Sequence, residues 1–232
     1  CGQADVDTNF NGLLDCRDDL VHPTEGQLIF TEIMVDPQGG DGTREWFEIT
    51  NVTSERLRLT GLRIYDCPSN NCSATSGFRI GEVCTFGPNG DTQLAGDRAD
   101  YSIAPNESIV VGELIGNNQR LDNVIEFPVA IRCKNGRLSL NNSGDTLGLG
   151  IAPDTNATSV SVVIDTVQYT NGQGDWPVVQ RGQSLSLNFV APQTADANDS
   201  GSNWCYDNQS LQDSGGTGNR GTPNTDNITC PQ

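Results

Sequence analysis

Leu28, Phe30, Ile33 and Val35 fall on nearly alternating positions in the run Leu28-Ile-Phe-Thr-Glu-Ile-Met-Val-Asp-Pro37, with a slip at Thr31-Glu32. A period of two predicts a half-buried strand. Asp36-Pro37 ends it, because proline donates nothing to a ladder and restrains the residue before it. A Gly/Asp-rich turn, Gly39-Gly-Asp-Gly42, then leads into Trp46, Phe47 and Ile49, interleaved with Glu45 and Glu48. Leu57-Arg-Leu59-Thr-Gly61-Leu-Arg-Ile64 alternates again. Further strands are predicted at Ser108–Gly112, Asn123–Phe127, Gly136–Leu140, Thr146–Gly150, Ser159–Tyr169 and Ser184–Phe189. Turn signals at Pro88-Asn-Gly90, Asn135-Gly136, Ser143-Gly144 and Asn171-Gly172 separate several of them. Short strands at this spacing, without helical periodicity, predict an all-β sandwich.

Three blocks in order, Thr31-Glu32-Ile33, Glu45-Trp46-Phe47-Glu48-Ile49-Thr50-Asn51 and Leu59-Thr60-Gly61-Leu62, resemble the lamin tail domain. That family is an immunoglobulin-like β-sandwich of nuclear lamins and many secreted prokaryotic proteins. Later blocks match as well: Ile103–Val111, Leu140–Asp145, Asp165–Tyr169, Gly182–Leu185 and Gly221–Asn224. The resemblance covers about residues 28 to 226. It departs from the family in an enlarged, cysteine-bearing region at 66–100. It implies an immunoglobulin-like, lamin-tail-like sandwich over 27–232, with that region as an insertion and 191–232 as a tail wrapping the sheets. Residues 1–19 stand apart as a polar, Asp-rich segment, joined by a connector at 20–26.

In that N-terminal segment, Asp7, Asn9, Asn11, Asp15 and Asp18 place oxygen-bearing side chains at loop positions one, three, five, nine and twelve, with Gly12 at six. This is the ligand spacing of a Ca2+ loop, in which the backbone carbonyl of Leu13 fills the seventh position. Calcium takes six to eight oxygens at about 2.3–2.6 Å, and the glycine permits the turn that aims alternate side chains inward. Ending on aspartate, with Asp15-Cys16-Arg17-Asp18, the loop resembles thrombospondin type 3 repeats rather than an EF-hand. Two asparagines among the ligands lower the site's charge and set the expected affinity near roughly 10⁻⁴–10⁻³ M. The expected ion is structural.

The chain has 232 residues, a net charge of −17 and eight cysteines. Hydrophobic content is only 34%, which suits short strands and many turns. No apolar run is long enough to span a membrane. A chain beginning at Cys1, with no visible signal peptide, is expected to be a mature or trimmed form. An even cysteine count and a single histidine point to disulfides and an oxidising, extracellular or cell-surface location. Cys67 with Cys72 is a candidate small loop; Cys84 and Cys133 are candidates to staple the insertion. Cys205 with Cys230 is a candidate tie for the tail, and Cys1 with Cys16 for the N-terminal loop. Connectivity is not fixed by the sequence. The charge repels phosphate backbones, so no nucleic-acid partner is expected.

Paired carboxylates such as Glu45/Glu48 and Glu32/Asp36 invite a hydrolase reading. Residues three apart on a strand face opposite sides, so Glu45 and Glu48 do not share a pocket. His22, in the connector, has no nucleophile beside it and is expected to be solvated, and no phosphate loop or nucleophile elbow occurs. No catalytic residue is assigned. Trp46 is expected in the core. Eight asparagine sequons, at Asn51, Asn71, Asn106, Asn141, Asn156, Asn198, Asn208 and Asn227, are candidate glycosylation sites; an Asn/Thr-rich surface protein shows the same pattern without sugar.

The expected function is a non-enzymatic extracellular structural or adhesion module, calcium-stabilised, able to self-associate or to bind other envelope or extracellular proteins. The alternative is an accessory binding domain of a larger secreted hydrolase or nuclease. A weaker third reading is a lipid-anchored chain starting at Cys1-Gly2.

Overall fold

The structure is a computed structural model that describes residues 20–39, 45–67, 78–80, 83–86, 91–94, 102–112, 114–115, 119–120, 129–131, 140–151, 160–209 and 218–231. In chain order the strands are β1 Leu28–Met34, β2 Trp46–Asn51, β3 Leu57–Arg58, β4 Leu62–Cys67, β5 Phe78–Arg79, β6 Val83–Phe86, β7 Asp91–Leu94 and β8 Ser102–Ile103. There follow β9 Ser108–Gly112, β10 Leu114–Ile115, β11 Gln119–Arg120, β12 Val129–Ile131, β13 Gly144–Ile151, β14 Val162–Thr170, β15 Leu185–Leu187 and β16 Trp204–Tyr206. A single helical turn, α1 Ala195–Asn198, and a 3₁₀ turn, Gly201–Asn203, precede β16.

Two sheets form the sandwich. The larger has the order β12-β9-β2-β1-β15-β16, and the smaller β14-β13-β4-β5. Pairing is antiparallel except for β12 alongside β9. The alternation read from the sequence places the inner faces. Phe30, Ile33, Phe47 and Ile49 from the larger sheet share one buried core with Leu62, Ile64, Leu147, Leu149, Ile164 and Val167 from the smaller. Phe30 and Phe47 meet edge to face, with centroids 5.4 Å apart at 71°, a favoured aromatic geometry. Gly148 stands across from Tyr65. A Cβ there would come within 2.0 Å of the tyrosine ring, so the ring lies over the glycine.

The slip at Thr31 is a β-bulge: Phe30 faces Ile49, while Glu32 faces Glu48, leaving Thr31 as the extra residue. It keeps both Phe30 and Ile33 facing inward although they are three apart. β9 has the predicted bounds, whereas β13, β14 and β15 start or end up to three residues from the predicted positions. Turn residues at the ends carry strand-like composition, so composition alone does not fix these boundaries. The strands predicted at Asn123–Phe127 and across most of Gly136–Leu140 lie outside the described residues; Leu140 itself is buried but outside any strand.

The connector at 20–26 is docked rather than loose. Val21 O accepts from Arg58 N (2.9 Å), and Gly26 N donates to Ile164 O (2.8 Å). His22, expected in solvent, is half-buried with Nε2 2.7 Å from the Thr60 carbonyl. Among the described residues, no helix is long and apolar enough to cross a membrane.

Candidate functional site

Glu32 and Glu48 stand directly opposite each other on β1 and β2, at 0% and 1% exposure. Strand alternation turns them, with Trp46 and Thr50, onto the outer face of the larger sheet, because Phe47 and Ile49 face the core. Trp46 is buried as expected, but on that outer face.

The C-terminal segment covers this face. Thr222 N donates to Glu32 Oε1 at 2.8 Å, and the Ser184 hydroxyl donates to the same oxygen. Asn224 N donates to Glu48 Oε2 at 2.6 Å, and Thr31 Oγ1 donates to Glu48 Oε1 at 2.7 Å. The Thr222 hydroxyl lies 2.7 Å from Asp207 Oδ2 and 3.3 Å from Glu32 Oε2. Asp207, also buried, takes a further bond from Gln209 N at 2.6 Å. Asn224 reaches its position with φ at 59°, a left-handed conformation that asparagine tolerates better than most residues. At Gly221 a Cβ would sit 2.7 Å from Glu32 Oε1 and 2.9 Å from Ser184 Oγ, so only glycine lets the chain pass this close.

These donors are neutral amides and hydroxyls. Burial, then the neighbouring Glu48 charge, pushes the Glu32 carboxyl well above its usual range, against the bonds from Ser184 and Thr222. Burial likewise pushes Glu48 up to about 7, opposed by the bonds from Thr31, Asn224 and Ser108. Chemically the pair is a set of buried acceptors filled by the chain's own strands and tail. Glu45 points elsewhere, to Leu140 N at 2.9 Å, so the expected divergence of Glu45 from Glu48 holds.

A further buried carboxylate sits where β15 no longer flanks β1. Asp165 Oδ2 accepts from Phe30 N and Asn198 Nδ2, each at 2.8 Å. Asn198 Nδ2 also donates to Phe30 O at 3.1 Å. Asp165 and α1 thus complete the backbone bonding of β1 beside the bulge. Burial pushes Asp165 up to about 7, despite those bonds.

The sequons divide by environment. Asn51, fully buried, donates to the carbonyls of Glu55, Ile103 and Ala104. Asn198 is fully buried, its Nδ2 committed to Asp165 and the Phe30 carbonyl, and Asn227 donates to the Thr31 and Leu187 carbonyls. In all three the amide nitrogen is taken up by acceptors within the fold, Asn51 and Asn198 being buried and Asn227 half-buried. Asn51 Oδ1 also accepts from Thr53 N and Oγ1, and Asn141 Oδ1 accepts from Ser143 N and Oγ. The Asn-x-Ser/Thr pattern there is turn chemistry. Asn106, Asn141 and Asn208 are exposed. Asn71 and Asn156 lie outside the described residues.

Cys205 and Cys230 form a disulfide, with a Cα–Cα distance of 5.7 Å, the tail tie that the sequence offered as a candidate. The calcium-loop residues Asp7, Asn9, Asn11, Leu13, Asp15 and Asp18, and Cys1, Cys16, Cys72 and Cys133, lie outside the described residues, as do the side chains of Cys67 and Cys84. Among the described residues, no group of three His, Cys, Asp or Glu side chains is placed to hold a metal ion.

Beside Glu48 a cavity of about 250 Å³ opens between the sheet and the tail. Thr31, Thr50, Asn51, Val52, Asn106 and Ser108 line it from the strand side, and Phe189, Gln193, Thr225, Asp226 and Asn227 from the tail side.

The Glu32–Glu48 pairing escaped the sequence because it depends on register across a bulge. Its only sequence signal is a glutamate on the outward slot of each of two otherwise apolar runs.

The fold and this tail-covered face define a two-sheet, almost wholly β sandwich. No protein-family model matches the chain, and no curated protein matches it. Among solved structures it is similar to a crystal structure of a DUF4876 family protein from Bacteroides thetaiotaomicron. Identity is 13% and the TM-score 0.43, over 90% of this chain and 72% of that one. A likeness this distant bears on neither mechanism nor partner.

Proposed function

We propose that this chain is a lamin-tail-like, non-enzymatic extracellular structural or adhesion module, ordered at its N-terminus by calcium and able to self-associate. The buried carboxylates support a scaffold role, since their acceptor positions are filled by the chain's own strands and tail. The observation that carries the assembly reading is β14: among the described residues this nine-residue strand is an edge of the smaller sheet, with Val162 and Val163 exposed at one end. The connector meets this edge at Ile164 O, which accepts from Gly26 N; such an edge presents its remaining backbone groups for strand addition. Sedimentation velocity over rising concentration, with calcium and with a chelator, tests it. Assembled species that Val163→Lys reduces are expected; a monomer at every concentration in both conditions rejects self-association.

A further inference from the structure

We propose that the cavity beside Glu48 is a binding site for a neutral saccharide unit. Its strand wall is a row of hydroxyls: Thr31 Oγ1 and Thr50 Oγ1 lie 2.8 Å apart, and Thr50 Oγ1 and Ser108 Oγ 2.7 Å apart. Thr31 donates its proton to Glu48, and the Ser108 hydroxyl also bonds to that carboxylate, so Thr50 stands between two hydroxyls that both reach Glu48. With both neighbours donating to Glu48, Thr50 donates to one of them and keeps its own oxygen as the acceptor of the row. Asn106 brings an exposed amide to the same cavity, able to donate and accept; Gln193, whose Nε2 donates to the Asn188 and Ala191 carbonyls, brings its oxygen as an acceptor.

A sugar ring needs both hydrogen-bonding senses around its rim and an apolar surface for its C–H face. Phe189 supplies that surface. It is 51% exposed and lines the cavity with the hydroxyls, so the ring is open to a ligand's C–H face. Glu48 and Asp226 in the lining turn away phosphates, sulfates and carboxylated sugars, which leaves the neutral ones. The volume suits one ring rather than a drug-sized ligand. The strand wall is held by the sheet and the tail wall by the Cys205–Cys230 bridge, so the site is formed before binding. This goes beyond the scaffold reading and does not depend on self-association.

The test is a nitrogen-15 NMR titration of the full chain with glucose, galactose, mannose, N-acetylglucosamine and N-acetylgalactosamine, and with N-acetylneuraminic acid as the anionic control. Each is taken to roughly 100 mM, which detects binding as weak as millimolar. At least one neutral sugar should shift the Thr50, Ser108 and Phe189 amides saturably, while the anionic sugar leaves them unmoved. Phe189→Ala, at an exposed position, should weaken that sugar's binding about tenfold or more, and Val178→Ala, exposed and outside the cavity lining, should not. No shift of these amides with any neutral sugar overturns the proposal, as does a Phe189→Ala protein that binds like the wild type. Neither result touches the sedimentation experiment, so the two readings fail separately.

Discussion

Replacing Glu48 with glutamine should make the protein more stable at pH 8 and leave it little changed at pH 5. The Glu48 carboxyl is raised from 4.5 to about 7 by burial. The folded state therefore holds its proton more tightly than the unfolded chain does. Stability from this group is complete below the unfolded pKa and drains away as pH rises to about 7. At about 1.4 kcal/mol per tenfold change in proton affinity, the loss across that window is about 3 kcal/mol. Glutamine fits the same bonds: its oxygen accepts from Asn224 N, and its amide donates to Thr31 Oγ1, whose proton turns toward Thr50. It carries no charge to desolvate at any pH. Urea unfolding of both proteins at half-unit steps from pH 5 to 8 gives the comparison. The wild-type curve should fall by about 3 kcal/mol or more relative to that of Glu48→Gln: Asp165 contributes to both, while Glu32, relieved of the Glu48 charge, is raised less in the variant and widens the gap. Parallel curves across the whole range would refute the reasoning, and so would a wild type that gains on the variant as pH rises.

Gly221→Ala should cost about 1–3 kcal/mol, since its Cβ meets Glu32 Oε1, Ser184 Oγ and Trp46 Cζ2 within 3.2 Å; thermal melting at pH 6 checks it. Replacing Cys205 and Cys230 together by serine frees a loop of 25 residues and should lower stability by about 3.5 kcal/mol on the chain-entropy account, read by urea titration. Asn198→Ala leaves Asp165 and the Phe30 carbonyl each short of a donor and should cost about 1–3 kcal/mol. A melting temperature equal to wild type would contradict that role. Calcium titrated into metal-free protein should release or absorb heat with roughly millimolar affinity, and Asp7→Ala with Asp15→Ala should abolish it; no heat with the wild type rejects the N-terminal loop.

The inner faces of the sandwich were legible in the sequence because apolar alternation is a local signal. Phe47 and Ile49 in the core, and the stop at Asp36-Pro37, follow from neighbours one or two residues away. The covered outer face was not legible, because it joins Glu32 to Thr222, 190 residues later. The slip at Thr31 was visible, but that it sets Glu32 against Glu48 depends on the register of β2. The polar tail, poor in apolar residues, read as a loose wrap, yet it contributes β16, α1 and the donors to both glutamates. Its order comes from backbone amides meeting buried carboxylates, and backbone amides leave no trace in side-chain composition. The structural use of the sequons was hidden for a related reason: Asn-x-Thr at Asn51 serves a turn and buried carbonyls, which the pattern alone does not distinguish from an acceptor site for sugar.

Amide hydrogen exchange at Thr222 and Asn224 tests most directly whether the tail is a built part of the sandwich. Their N–H groups donate to Glu32 and Glu48, so at pH 6 both should be protected to nearly the same degree as the paired amides of β1 and β2. Exchange at these two positions at the rate of an unstructured peptide would contradict the account.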